Sequence, residues 1–243
     1  MPVVLFYSLL VTATAAIAVP APAQPKNEAV QTPSVETEID AVLEVYGGRD
    51  ALEKASFFRT TGTMFANQHV GGHPGRFVRE MRGPQILKIA NLFATGKDEV
   101  RILKGDRGWR GDKEVFGPSL LSMKLQAARM AMPLSLWTHR KDIVDLGMHG
   151  EPGQWLRVLH LQLEKSMFIR AMINPKTRHI ERVVGVIQMG PQNVVFVTNY
   201  SDFKKREGVL VPFHEERIIR GVNTASVTLE TFELLSPTEE IEL

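Results

Sequence analysis

Histidine and glutamate occur together at one place in the chain where they could bind a metal ion. The segment HEERI, residues 214–218, begins like the H-E-x-x-H motif, in which two histidines one helical turn apart bind zinc. Position 218 is isoleucine, so the second ligand is missing, and the alternating residues around it are typical of a strand. The segment therefore predicts no metal site.

A second pair of histidines, His69 and His73, is four residues apart, as metal ligands can be. The segment that holds them, HVGGHPG, is rich in glycine and has no neighbouring carboxylate, so we expect an exposed turn. The nucleophile-elbow, P-loop and dinucleotide-binding motifs do not occur, and the absence of cysteine excludes thiol catalysis. We therefore expect a protein that is not an enzyme and that uses neither a cofactor nor a metal.

The residues best suited to bind a ligand are apolar, and many lie in or near residues 119–137, SLLSMKLQAARMAMPLSLW. This segment is rich in leucine and methionine and poor in β-branched residues, and its apolar residues can share one face of a helix: Leu120, Leu121, Leu125, Ala128 and Met132. Methionine adapts its shape, so a surface rich in it suits ligands of varied outline. We interpret the segment as a lid over a cavity, with hinges at Gly117 and Pro133. The plainer alternative is a core helix.

Most of the remaining chain consists of short alternating segments separated by glycine, proline and asparagine, which predict strands. We place them near residues 57–66, 75–82, 85–93, 99–104, 107–110, 142–148, 154–163, 166–173, 179–188, 194–202, 209–219 and 225–235. Short connections favour antiparallel meander order. Some strands are apolar on one face and mixed on the other, which is typical of a strongly curved sheet with an apolar concave side, or of a sandwich. The fold class is α+β and mainly β.

The beginning of the chain predicts export. The first 25 residues hold no charged side chain, and their apolar run ends in small residues, so we expect a signal peptide over residues 1–23. A linker over residues 24–33 and a single domain over residues 34–243 follow, and the domain opens with an amphipathic helix that Gly47-Gly48 ends. No lysine or arginine precedes the apolar run, so an uncleaved anchor and a misassigned start stay open. Without cysteine the chain cannot be a lipoprotein, and we expect it to be soluble in the periplasm.

The charge of the chain argues against nucleic acid, because a net charge of +2 is too small for a concentrated basic surface. Residues 76–113 nevertheless hold ten lysines and arginines against five acidic residues. Such a stretch is usually a solvated face. Its functional interpretation is attraction to anionic lipid headgroups or to an acidic partner.

Three segments carry a family resemblance. IDAVLEVYGGRDALEKASFFRTTGTM is similar to the opening of envelope proteins of the outer-membrane lipoprotein-sorting (LolA/LolB-like) superfamily, and NPKTRHIERVVG and NYSDFKKREGVLVPFHEERI resemble its late strands. The resemblance implies a half-open antiparallel barrel with helices that plug its concave, apolar side. In the best-understood members that cavity takes the acyl chains of lipoproteins, and residues 119–137 would be one of the plugging helices.

These observations predict a monomeric periplasmic binding protein or carrier for a lipid, a lipoprotein acyl chain or another hydrophobic ligand, with at most a transient contact with the membrane. The residues expected to line its cavity are Phe65, Phe77, Trp109, Leu121, Leu125, Met130, Trp137 and Trp155. The alternative is a non-catalytic envelope interaction module, whose core is filled by its own side chains and whose basic stretch binds a partner protein.

Overall fold

The structure is a computed structural model, which describes residues 33–67, 72–94 and 98–237. The predicted signal peptide, the predicted linker as far as residue 32, and His69 lie outside the described residues.

Thirteen strands form one antiparallel sheet in the described part of the chain. They are β1 (Phe57–Ala66), β2 (His73–Arg82), β3 (Ile86–Phe93), β4 (Glu99–Lys104), β5 (Arg107–Arg110), β6 (Lys113–Val115), β7 (Ile143–His149), β8 (Leu156–Glu164), β9 (Met167–Ile173), β10 (Ile180–Met189), β11 (Gln192–Arg206), β12 (Val209–Ile219) and β13 (Val222–Leu234). Their spatial order is β6-β5-β4-β3-β2-β1-β13-β12-β11-β10-β9-β8-β7. Two meanders are thus joined by the β1–β13 pair, and β6 and β7 form the two edges.

Glycine lets the sheet bend at this junction. The register of β1 against β13 shifts between Thr61 and Gly62, which marks a β-bulge. A Cβ at Gly62 would lie 2.1 Å from the carbonyl oxygen of Thr228 and 2.9 Å from the ring of Phe77. The backbone of β1 therefore lies closer to β13 than it could if position 62 carried a side chain.

The described residues form four α-helices, which lie against the sheet: α1 (Val35–Val45), α2 (Arg49–Lys54), α3 (Pro118–Met130) and α4 (Leu134–Thr138), which a 3₁₀ turn (Arg140–Asp142) follows. Ser34 caps α1 by accepting a hydrogen bond from the amide of Thr37 at 3.2 Å. Helix α1 packs on α2, α4 and β7. Its buried apolar residues belong to the main core, together with Leu159, Leu161 and Ile169 of β8 and β9.

Helix α3 contacts both halves of the sheet, β4 and β5 on one side and β9 and β10 on the other. Strands β4 and β10 are seven positions apart in the sheet, so a flat sheet would separate them by roughly 34 Å, far more than the roughly 10 Å diameter of a helix. The sheet therefore curves around α3, which lies in the trough.

Contact with two walls gives α3 two apolar faces instead of the single predicted one. Leu120 packs with Met123 and Ala127 against β3 and β4, whereas Leu121 and Leu125 pack against β9 and β10. Leu125 lies close to the sheet because Gly185 has no side chain, and a Cβ there would be 2.6 Å from Leu125 Cδ2. The prediction that Leu120 shares a face with Leu121 and Leu125 was wrong, because a helix in a trough buries opposite sides.

Buried ion pairs hold α1 on the sheet. Glu38, whose side chain is fully buried, accepts hydrogen bonds from Arg157 Nη1 at 2.8 Å and from Arg178 Nη1 at 2.9 Å. Arg157 also donates to Asp145 Oδ2 at 2.7 Å and to the carbonyl oxygen of Pro33 at 2.6 Å. Two carboxylates thus balance two guanidinium groups. We call these four charged residues the α1 ion cluster.

The predicted mainly β fold of class α+β is confirmed, and the single curved sheet excludes the sandwich. Strand β6 was missed, since three residues are too short to show alternation. Strand β11 continues to Arg206, beyond the predicted end at residue 202. Helix α3 ends before Pro133, as predicted.

Candidate ligand-binding cavity

Three cavities follow one another between the helices and the concave face of the sheet. The α3 cavity, of about 420 Å³, lies beneath α3. The central cavity, of about 120 Å³, shares Arg129 with it, and the α4 cavity, of about 170 Å³, shares Met130 and Met132 with the central one. One arginine and two methionines thus lie where neighbouring cavities meet, and all three side chains are flexible.

Helix α3 turns its polar face to the α3 cavity. Ser119, Ser122, Gln126 and Arg129 line it at spacings of three and four residues, which places them on one side of a helix. Leu125 lines the cavity beside them, and the opposite wall includes Phe196, Thr198 and Ala225 of the sheet. The walls of this cavity are therefore mixed, and not apolar throughout.

A cluster of buried charges lies where the α3 and central cavities meet. Glu215 accepts hydrogen bonds from Arg79 Nη1 at 2.6 Å and from Arg217 Nη2 at 2.7 Å. Arg129 Nη1 is 3.9 Å from the Glu215 carboxylate and donates a hydrogen bond to the Thr198 hydroxyl. One carboxylate therefore faces three guanidinium groups.

Two further arginines line the α3 cavity around Glu99. Arg110 Nη2 lies 2.9 Å from one oxygen of this carboxylate, and Arg101 Nε lies 3.7 Å from the other. Arg101 Nη1 donates to Gln126 of α3 at 3.3 Å. Its buried Nε has no hydrogen-bond partner among the described residues. We call these five arginines and the two glutamates the cavity charge cluster: Arg79, Arg101, Arg110, Arg129, Arg217, Glu99 and Glu215.

Burial and neighbouring charges shift the pKa values of this cluster. Burial alone would raise the pKa of Glu215, but the charges of Arg79, Arg217 and Arg129 outweigh it and hold that pKa far below its ordinary value. Burial, and then the charge of Arg79, lower the pKa of Arg217 to about 10. Burial likewise lowers the pKa of Arg101. Burial alone would lower the pKa of Arg129 as well, but Tyr200 and Glu215 outweigh it, so the pKa of Arg129 is raised.

The central cavity is mostly apolar away from the charges. Aliphatic and aromatic side chains of α2, β1, β12 and β13 line it, namely Leu52, Phe58, Val209, Val211, Leu229 and Phe232. Arg79, Arg129 and Glu215 line its end next to the α3 cavity. An apolar space thus ends at a positively charged one.

The predicted lining residues are dispersed over the molecule. Leu125 lines the α3 cavity, and Met130 lines the central and α4 cavities. Phe77 is buried in the main core, and Leu121 packs beside Leu125. The remaining four are not among the residues that line these cavities: Trp109, Trp137, and the exposed Phe65 and Trp155.

Sequence reasoning missed the cavity charge cluster, although alternation carried a signal for it. Arg79 lies on the same face of β2 as the core residues Phe77 and Met81. Glu215 and Arg217 lie on the same face of β12 as the apolar residues Val211 and Phe213. A charged side chain on the apolar face of a strand indicates a buried charge. Three such side chains indicate a cluster of buried charges.

The surface formed by residues 76–113 carries less positive charge than the number of lysines and arginines suggested. Arg79 and Arg101 of this stretch point to the cavities. Arg76 and Arg107 are exposed, but each pairs with a glutamate, Arg76 with Glu230 at 2.6 Å and Arg107 with Glu114 at 2.8 Å. Much of the positive charge therefore lies inside the trough or is neutralised at the surface.

Within residues 33–67, 72–94 and 98–237, no group of three or more histidine, aspartate or glutamate side chains could hold a metal ion. No helix among these residues is long and apolar enough to cross a membrane.

Comparison with known proteins identifies the fold. No protein-family model matches the chain, and no curated protein matches its sequence. Among solved structures, a LolA superfamily protein from Nitrosomonas europaea is similar over 77% of this chain and 93% of its own, with a TM-score of 0.51 and 16% identity. The chain has a LolA-like fold.

Two other solved structures match less well. The LolA-like chain is similar over 85% of its length to a putative outer membrane lipoprotein-sorting protein domain from Vibrio parahaemolyticus, 96% of which is covered, at 9% identity and a TM-score of 0.47. It is similar over 84% of its length to a DUF1329 family protein from Desulfovibrio piger, 94% of which is covered, at 10% identity and a TM-score of 0.49. The predicted half-open barrel with plugging helices is confirmed by the similarity to the Nitrosomonas europaea protein and by the curved sheet that holds α3 in its trough.

Proposed function

We propose that this LolA-like protein is a non-catalytic binding protein or carrier for a lipid or another hydrophobic ligand, exported to the periplasm. The observation that carries the proposal is the row of three cavities between the helices and the concave face of the sheet. An interaction module whose core is filled by its own side chains would not require these cavities. The apolar wall of the central cavity and the adaptable Met130 and Met132 suit a hydrocarbon chain.

Binding would work by removal of apolar surface from water. Each methylene group that is buried contributes ~0.8 kcal/mol, so part of one acyl chain gives useful affinity. Met130 and Met132 line both the central and the α4 cavity, so rotation of their side chains would join the two spaces. The ligand would then lie along the trough and contact Leu125 and Met130.

Entry of the ligand requires α3 to move away from at least one wall. Lys124 of α3 donates hydrogen bonds to Asp106, in the turn between β4 and β5, at 2.6 Å, and to Glu164, at the end of β8, at 2.9 Å. These two bonds connect α3 to both halves of the sheet. Asp106 is 92% exposed, so water competes for the first bond, and the contact is suited to a reversible latch.

A substitution that fills the α3 cavity tests the proposal. Ser122 lines this cavity from α3, so the indole of Ser122→Trp should occupy the space and lower the affinity for a neutral fluorescent lipid probe at least about tenfold, the equivalent of roughly two buried methylenes. Ser201→Trp, at an exposed position of β11, is the matched control and should bind the probe like the wild type. Equal affinity of both variants, with the fold intact by circular dichroism, would contradict the proposal.

A further inference from the structure

The cavity charge cluster holds more positive than negative charges. The charged side chains that line the α3 and central cavities are five arginines and two glutamates, an excess of three positive charges. Arg79, Arg217 and Glu215 are at most 16% exposed, so water screens them poorly. Buried cations without counter-charges are costly unless something else supplies negative charge.

The arginines also have hydrogen-bonding capacity that the protein does not use. A guanidinium group has five N–H donors and no acceptor. Arg101 Nε is buried without a hydrogen-bond partner among the described residues, and Arg101 Nη1 makes only a long contact of 3.3 Å with Gln126. Arg129 Nη1 is 3.9 Å from Glu215, too far for a hydrogen bond, and Arg129 donates instead to the Thr198 hydroxyl and to Tyr200. Arg101 therefore has a donor available to a ligand, and Arg129 adds a positive charge that lines the same cavity.

The position of the cluster matches an amphiphile. Arg129 lines both the α3 cavity and the central cavity, so the charges lie where mixed walls change into apolar ones. A chain that enters the central cavity past Arg129 contacts Val211, Leu229 and Phe232. Its polar end would remain in the α3 cavity, between Arg101, Arg129 and Arg217.

We propose that the ligand is an anionic amphiphile, whose phosphate or carboxylate group binds Arg101, Arg129 and Arg217 while its hydrocarbon chain occupies the central cavity. Arginine is suited to this role because its planar fork binds the two oxygens of a carboxylate or phosphate together. This inference rests on the proposed function, and it adds the chemical class of the ligand.

The test compares probes that have the same chain and different head groups. Dodecyl phosphate, dodecanoate and dodecanol, each below its aggregation concentration, displace the neutral probe from delipidated full-length protein. The wild type should prefer both anions over dodecanol by about tenfold or more, the equivalent of one charged hydrogen bond. Inorganic phosphate alone should not displace the probe, because it has no chain to bury.

Single substitutions assign the preference to the cluster. Arg101→Gln and Arg129→Gln should each weaken the binding of dodecyl phosphate and dodecanoate severalfold more than the binding of dodecanol, and circular dichroism checks that both variants are folded. Arg101→Lys, which keeps the charge, should retain most of the preference. Arg76→Gln, at a 63% exposed position on the surface, is the matched control and should behave like the wild type.

The outcomes separate this inference from the proposed function. Equal affinity for anions and dodecanol in the wild type would overturn the anionic head-group site and leave the carrier proposal standing. A preference for anions that Arg101→Gln and Arg129→Gln both retain would overturn the assignment to these arginines. Failure of all three amphiphiles to displace the probe would overturn the carrier proposal itself. Displacement by inorganic phosphate as strong as that by dodecyl phosphate would show an anion site that needs no hydrocarbon chain, which contradicts both.

Discussion

Two groups of charged side chains, each with buried members, differ in their balance of charge and in their surroundings. In the α1 ion cluster, Glu38 and Asp145 balance Arg157 and Arg178, and Glu38 and Arg157 are buried beneath α1. In the cavity charge cluster, five arginines face two carboxylates, and the group borders about 420 Å³ of space under α3. Balanced charges that fill their site hold two elements together, whereas unbalanced charges beside a cavity are suited to receive a ligand.

The two helices above these clusters differ in the same way. Helix α1 contributes Ile39 and Val42, both fully buried, to the main core and has a side-chain cap. Helix α3 has no side-chain cap and turns serine, glutamine and arginine toward the cavity. We infer that α1 is the fixed plug of the trough and that α3 is the part that moves.

The largest effect on stability should come from the α1 ion cluster. Glu38→Gln leaves Arg157 and Arg178 without their shared carboxylate in a buried site, so the free energy of unfolding should fall by about 3–5 kcal/mol. Chemical denaturation measures this loss, with Glu36→Gln, at an exposed position of the same helix, as the control. Because the α1 ion cluster lines none of the three cavities, the preference for anionic probes should not change. A shift in that preference would break the distinction between the two clusters.

A smaller loss of stability, with a gain in binding, should follow from Glu215→Gln. The variant loses the carboxylate that Arg79 and Arg217 share, but the adjacent cavity admits water or anions, so we expect a loss of about 2–3 kcal/mol. A bound anion then has less competition for the arginines, and the affinity for dodecyl phosphate should rise severalfold. Unchanged or weaker binding of dodecyl phosphate would contradict the role given to the cluster.

The same variant has a defined pH dependence. The arginines hold the pKa of Glu215 below its ordinary value, so the carboxylate stabilises the folded state fully above the unfolded pKa of about 4.3 and progressively less below it. The difference in stability between wild type and Glu215→Gln should therefore be constant from about pH 6 to pH 8 and shrink below about pH 4. A difference that grows on acidification would contradict the assigned charge state.

The smallest effect on stability should come from the latch on α3. Lys124→Met removes two exposed or partly exposed ion pairs, so the free energy of unfolding should change by no more than about 1 kcal/mol. Since the pairs connect α3 to both walls, the probe should dissociate severalfold faster, as measured by stopped-flow fluorescence. Lys141→Met, at an exposed position after α4, is the control. An unchanged dissociation rate would mean that α3 does not open at Lys124.

Much of the fold could be predicted because its signals are local. Alternation and turn residues located most strands within a few positions, and short connections predicted a meander. The β1–β13 pair, which joins the two meanders, links the beginning and end of the domain, and no local pattern encodes such a pairing. That pair makes one sheet of the two meanders, both of which contact α3.

The candidate site was harder to predict because its contacts are distant in sequence. Arg79 and Glu215 are 136 residues apart, and Arg129 and Thr198 are 69 residues apart. The alternation of residues along a strand shows that such side chains face the interior. It does not show that they contact one another. Large apolar residues such as Phe65 and Trp155 attract attention in a sequence, yet they are exposed, whereas the α3 cavity is lined by charged side chains together with other apolar residues such as Phe196.

The central claim is that the trough holds a lipid and is not a filled core. Native mass spectrometry of the wild type and of Ser122→Trp, both purified from the protein's own envelope, tests it most directly. We predict that the wild type carries an adduct with the mass of an acidic lipid, which organic extraction removes, and that Ser122→Trp carries little of it. A wild-type protein that is found only at its bare polypeptide mass would contradict the claim.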